Sequence, residues 1–142
     1  MEEIYSKLDP KTLLLVISRS VDITAERKNL SPDEEFLQVS TKKLANGTSF
    51  APHKHNYLHR TSDITQEAWI FLSGKVKATF WDIDDSIIYE TELCAGDCAV
   101  VFRGGHSFEV LEDDTSLYEI KTGPYYGIEK DKTFIGEQNG KI

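Results

Sequence analysis

The chain is poor in cysteine, methionine, proline and basic residues, and it has no long apolar run. Two cysteines in 142 residues, Cys94 and Cys98, exclude a small scaffold stapled by several disulfides. Both lie in or beside an apolar stretch and read as buried thiols. Lys and Arg number 16 against 24 Asp and Glu, a net charge of -8, so no basic face is expected for a nucleic-acid partner or an anionic membrane surface. An anionic small ligand stays open, because acidic surroundings can enclose a basic pocket. The apolar run Leu13 to Ile17 is too short for a signal peptide or a membrane span, and Met1-Glu2-Glu3 lacks a basic region. A soluble cytoplasmic protein is the expectation. Asp82, Asp84 and Asp85 lack the glycine and distal glutamate of an EF-hand loop and read as a turn. No internal repeat is present.

What is there is a sequence of period two. A hydrophobic content of 39% supports one domain with its own core. Thr12 to Ser18 is β-branched and apolar and reads as a first strand, outside the main body of strands. Asp22 to Asn29 reads as a short helix or turn, and Ser31-Pro32-Asp33-Glu34 as one helical turn at most. From Phe36 the alternation predicts strands over 36–44, 48–55, 67–73, 75–81, 86–93, 98–102, 106–111 and 116–122. Asn46-Gly47 is a two-residue hairpin signal, and Gly74, Ala95-Gly96-Asp97 and Asp113-Asp114 mark further turns. Many short strands with almost no helix predict an all-β fold, a closed barrel or two-sheet jelly roll. The single domain divides into an N-terminal arm (1–35), a core (36–122) and a C-terminal tail (123–142).

The chemistry gathers around Pro52-His53-Lys54-His55. Two histidines one residue apart in an extended segment point the same way. Two imidazoles on one face grip a metal ion if neighbouring strands bring further ligands. Glu67, Trp69 and Phe71 share one strand face, and His106, Phe108 and Val110 another: one metal-capable residue followed by apolar ones, the pattern of a barrel interior. A carboxylate pointing into an apolar interior needs a positive partner, and a divalent metal held by His53, His55, Glu67 and His106 would satisfy all four. Each residue also has a plain alternative, an exposed strand end for Glu67 or a hydrogen-bonded core histidine for His106.

These motifs resemble the cupin superfamily. Its first motif runs Gly, five residues, His-x-His, a gap of three or four, Glu, six residues, Gly. This chain has Gly47, five residues, His53-Lys54-His55, and later Glu67, six residues, Gly74, but eleven residues separate His55 from Glu67. Its second motif is matched by Gly96, Gly104 and His106, with Phe102 where the family has proline, Val110 where it has asparagine, and a spacing one residue short. The resemblance covers about 36–122. It implies a double-stranded β-helix (jelly-roll) barrel with an extra N-terminal strand, and metal ligation by His53, His55, Glu67 and His106. His59 is the alternative third ligand, but the glycine six residues after it is replaced by Gln66.

Three protein imidazoles and a carboxylate suit Fe, Mn, Ni, Zn or Co. Two open positions would take a bidentate enediol, hydroxy-ketone or keto acid, for Lewis-acid isomerisation or epimerisation, or for oxygenation. Asn56 to Gln66 reads as an insertion at the barrel mouth, a lid or a solvated loop. His59 is a candidate base, Tyr57 and Arg60 candidate ligand contacts, and Trp69 and Phe108 aromatic walls or plain core. Arg103, between Phe102 and the Gly104-Gly105 pair, is a candidate for holding a carboxylate or phosphate, or a surface arginine paired with Glu90, Glu92 or Glu109. Of Tyr118 and Glu119 one must face inward, and Tyr118 is the candidate catalytic group. The stretches Phe102 to His106, Glu109 to Thr115 and Lys121 to Tyr125 look like small stand-alone cupins of bacterial cell-surface polysaccharide biosynthesis, which implies a sugar or nucleotide-sugar ligand. A non-catalytic sugar- or small-ligand-binding module is the alternative. Single-domain cupins commonly pair, so a homodimer is expected in which Thr12 to Ser18 covers a sheet edge.

Overall fold

The computed structural model describes residues 1–136. The last part of the expected C-terminal tail, 137–142, lies outside the described residues. The fold is all-β and antiparallel. Its strands are β1 (Glu2–Tyr5), β2 (Leu13–Ser18), β3 (Lys28–Asn29), β4 (Ser40–Thr41), β5 (Glu67–Ser73), β6 (Lys75–Trp81), β7 (Ile87–Cys94), β8 (Cys98–Val101), β9 (Gly105–Val110) and β10 (Ser116–Lys121). A short helix, α1 (Ile128–Asp131), follows them. One sheet has five strands in the order β1-β2-β8-β5-β10, a second has three in the order β7-β6-β9, and β3 pairs β4 alone. Among the described residues the sheets do not close into a barrel.

The two larger sheets face each other across one core. Trp69 and Phe71 of β5, Ala99 and Val101 of β8 and Leu15 and Ile17 of β2 meet Val76, Ala78 and Phe80 of β6 and Leu93 of β7. This is period-two burial on both inner faces. The outer face of the five-stranded sheet is covered as well. Ala68, Cys98, Val100 and Phe102 lie there with Leu13, Val16 and Leu30, and Leu37 and Val39, just after the arm, cover them. This explains why every residue of Leu13–Ser18 is buried: β2 is an interior strand sandwiched on both faces. It pairs with β1 on one edge and β8 on the other, so it covers the β8 edge of its own chain. The polar segment 1–11 contributes β1. Arg19 locks this corner, donating to Glu2, Thr91 and the buried Asp97.

The strands expected at 67–73, 75–81, 86–93, 98–102, 106–111 and 116–122 all form, within a residue or two. Those expected at 36–44 and 48–55 differ. Only Ser40–Thr41 is strand in the first, and none of the second is. Asn46-Gly47 does turn, with Gly47 at φ 84 and a Thr48 N–H to Ala45 carbonyl bond of 3.2 Å, but no ladder flanks it. The physical reason is burial. Residues 45–63 are exposed throughout, Pro52 cannot donate to a ladder, and Pro-His-Lys-His-Asn offers no apolar side to a core. Period alone does not make a strand where nothing covers it. Both cysteines are free thiols, as expected, but only Cys98 is buried; Cys94 is exposed because it ends β7 on the face opposite the buried Leu93.

Candidate functional site

The site is built where the two sheets meet at one end of the core. β5 starts at Glu67, whose side chain is buried because it shares the inner face with Trp69 and Phe71. β9 presents His106 from the facing sheet, with Phe108 two residues on. His106 lies opposite the buried Phe80 of β6 in the antiparallel register, which pins its side chain inward. Glu67 Oε2 and His106 Nε2 approach to 3.5 Å across the inter-sheet gap. The Trp69 indole N–H donates to Glu67 Oε1 at 2.6 Å. Its ring packs edge-on to His106 at 5.3 Å and to Phe108 at 5.0 Å between centroids.

The strand register also delivers a residue that the sequence reading did not single out. β10 runs antiparallel to β5 with Lys121 directly opposite Glu67 and Glu119 opposite Trp69. Lys121 Nζ stands 3.7 Å from Glu67 Oε2 and 2.9 Å from Glu119 Oε1. Burial pushes the Glu67 carboxyl up, but His106, the Trp69 N–H and the Lys121 ammonium outweigh it and hold it down at about 2. Glu119, foremost, holds the Lys121 ammonium above its usual range. Because β5 and β10 are far apart in sequence, only their pairing reveals this contact. The one sequence signal was the alternation Leu117, Glu119, Lys121 against Tyr118, Ile120.

The structure brings together two of the four expected metal ligands, Glu67 and His106, with Trp69 and Phe108 as their apolar wall. His53 and His55 lie in the exposed segment. Their rings sit edge-on with centroids 5.5 Å apart, so they share a side as the alternation predicts. His53 Nδ1 is 3.0 Å from the Ala51 carbonyl oxygen; a carbonyl only accepts, so this nitrogen donates and leaves Nε2 free. Tyr57, His59 and Arg60 are exposed on the same loop. Among the described residues no three metal-capable side chains converge.

Arg103 and Tyr118 are placed elsewhere. Arg103 Nη2 meets both Glu35 oxygens, at 2.9 and 3.0 Å, and Nη1 donates to the Leu13 carbonyl. Its guanidinium therefore ties the arm to the β8–β9 corner, with Glu35 as partner in place of Glu90, Glu92 or Glu109. Tyr118 lies opposite Ile70 on the outer face and is 62% exposed, so it is Glu119 that takes the inner side.

The donor set present fits a metal in part. The 3.5 Å Glu67–His106 separation is long for an N–H···O bond and close to the ~3–3.4 Å between two donors that each lie about 2.1 Å from one ion. Among the described residues His106 Nδ1 is buried with no hydrogen-bond partner, an orphan that calls for an explanation such as a functional role or an ordered water. No protein family, curated protein or solved structure matches this chain.

Proposed function

We propose that the chain is a jelly-roll domain of cupin type that binds a divalent transition metal through Glu67, His106, His53 and His55 and acts on a small oxygenated metabolite, of which a sugar or nucleotide-sugar is the leading class. The observation that carries the proposal is the Glu67–His106 pair bridging the two sheets, 3.5 Å apart, with Glu67 buried and His106 partly buried, beside the Trp69 and Phe108 rings. A buried carboxylate facing an imidazole across two sheets is the kind of titratable pair that clusters at functional sites.

The topology supports the jelly-roll reading. The strands β2, β8, β5 and β10 make a run of four in one sheet, and β7, β6 and β9 a run of three in the other. A strand added to the free edge of β9 gives the smaller sheet four strands to match that run; with β1, which flanks β2, the two sheets then hold nine, one more than the eight of a two-sheet jelly roll. That edge is short of cover: Val110 follows His106 and Phe108 on the inner face, yet it is 53% exposed. The exposed segment 48–55 is the candidate for it. Laid along β9, it brings His53 and His55 to the edge that already carries His106.

When bound, the metal supplies a Lewis acid or an oxygen-binding centre. Trp69 and Phe108 keep water from one side of the site. His59 and Arg60 lie on the loop that leaves His55 and returns before Glu67, so they move with the histidine segment. In this proposal Arg60 contacts an anionic or polyhydroxylated ligand and His59 is the base. The proposal includes a cytoplasmic homodimer, with β2 kept inside each chain. The test is metal analysis of protein purified without a metal-binding tag. Stoichiometric Fe, Mn, Ni, Zn or Co that is lost in His53→Ala/His55→Ala supports the proposal, and full retention in that variant sinks it.

A second reading, a non-catalytic binding module, is favoured by one observation. Lys121 already places an ammonium 3.7 Å from Glu67, which neutralises the carboxylate without any metal. Protein that carries no metal and binds a sugar without turnover would select this reading.

A further inference from the structure

We infer that Lys121 is a built-in stand-in cation, which holds Glu67 until a divalent metal takes the carboxylate and then swings to Glu119. The inference rests on the metal reading above and goes beyond it, because it makes metal affinity a competition within the site. Three observations carry it. The β5–β10 register sets the Lys121 backbone opposite Glu67, so its side chain starts within reach of that carboxylate while the ladder stands. It is shared between two carboxylates, nearer to Glu119 at 2.9 Å than to Glu67 at 3.7 Å. Glu119 is 45% exposed at its side chain and Glu67 only 5%, so the alternative partner lies toward solvent, on the way out of the site.

The electrostatics set the direction. A buried carboxylate requires positive charge close by. Among the described residues the only Lys or Arg paired with Glu67 is Lys121. A divalent ion on the same oxygens and an ammonium within about 4 Å repel each other more strongly than they would in water. The ammonium must then move, and Glu119 is the carboxylate already in contact with it. Metal binding to Glu67 therefore works against Lys121 and is helped by Glu119.

The test is isothermal titration of the metal-stripped full chain with Mn(II) and with Zn(II), on wild type, Lys121→Met and Glu119→Gln. Lys121→Met keeps the length of the side chain and removes its charge, and it should tighten the dissociation constant by about tenfold or more. Glu119→Gln removes the alternative partner, and it should weaken binding severalfold. Glu119→Gln also serves if Lys121→Met fails to fold, which its circular dichroism melt would show. An unchanged or weaker constant in folded Lys121→Met, or an unchanged or tighter one in Glu119→Gln, overturns the role of Lys121 while leaving the metal site standing. Wild type and Lys121→Met that both bind neither ion overturn the metal reading, and this inference with it. Lys121→Met that binds where wild type does not supports both.

Discussion

Two halves of this chain, each rich in alternating residues, came out differently. From Glu67 to Lys121 six strands form where the alternation puts them, and their inner faces make the core. From Phe36 to Gln66 the same kind of alternation yields only Ser40–Thr41 as strand. The difference is what each half has to bury. Val76, Ala78 and Phe80 of β6 are fully buried, at every second position against an opposing sheet. In the second region Leu37 and Val39 pack on the outer face of the large sheet, but Leu44, Phe50, Tyr57, Leu58 and Ile64 are exposed. A pleat organises a chain only when one of its faces has a partner.

Substitutions make that contrast quantitative, and the largest effect is expected in the core. Phe80→Ala should destabilise by about 3–5 kcal/mol, from lost transfer energy and a cavity. Phe50→Ala, in the exposed region, should change stability by less than about 0.5 kcal/mol. Urea denaturation of the two variants measures both. Similar losses would mean that segment 48–55 is already packed in solution.

Next comes the contact between β1–β2 and β6. Asp82 is buried and accepts the backbone N–H groups of Lys7 and Ile83, both at 2.8 Å. Burial pushes its carboxyl up, but Ser6 and these two backbone groups outweigh burial and hold it below the usual aspartate range. Asp82→Ala orphans two donors and should destabilise by about 1–3 kcal/mol. The sign for pH follows. With the folded value depressed, Asp82 contributes its full stability above the unfolded value near 3.9, and that contribution is lost as pH falls through the lower folded value. Wild type should therefore lose its advantage over Asp82→Ala on acidification below about pH 4. A stability difference independent of pH down to the acid transition would assign the effect to packing instead.

The glycines sharpen the comparison at the smallest scale. Gly47 and Gly104 have nearly the same φ, 84 and 82. A Cβ on Gly47 meets nothing within 4 Å, whereas one on Gly104 would lie 2.4 Å from the Trp81 carbonyl oxygen. Gly47→Ala should thus cost only the left-handed backbone penalty, about 1–2 kcal/mol at most. If segment 45–48 is loose, the measured loss should fall toward zero. Gly104→Ala adds a clash with rigid backbone at the corner that leads into His106, and it should cost more in the same thermal melt. Equal losses would show that the β8–β9 corner gives way as easily as the exposed turn.

The sequence made the sheet half legible because strand faces and turns are local properties. Glu67, Trp69, His106 and Phe108 were assigned to inner faces by alternation, and the structure puts them together. Lys121 was not legible, because its contact with Glu67 depends on which strand β10 pairs with, and that is set by the whole topology. Arg103 was read as a ligand contact or a surface residue. Its partner Glu35 sits in an arm whose path over the outer face no local pattern encodes. Tyr118 and Glu119 could be told apart only by the register of β10 against β5. The histidine pair was read as part of a strand over 48–55; the two rings do share one side, but no strand forms there.

The central claim is that the segment carrying His53 and His55 joins the free edge of β9 when metal binds between it and the Glu67–His106 pair. Backbone amide hydrogen exchange across 48–55 and 105–110, with and without saturating Mn(II) or Zn(II), tests it most directly. The account predicts fast exchange throughout 48–55 in the stripped protein, and on metal addition protection that rises together in 48–55 and along β9. Metal that binds while exchange in 48–55 stays fast would contradict it.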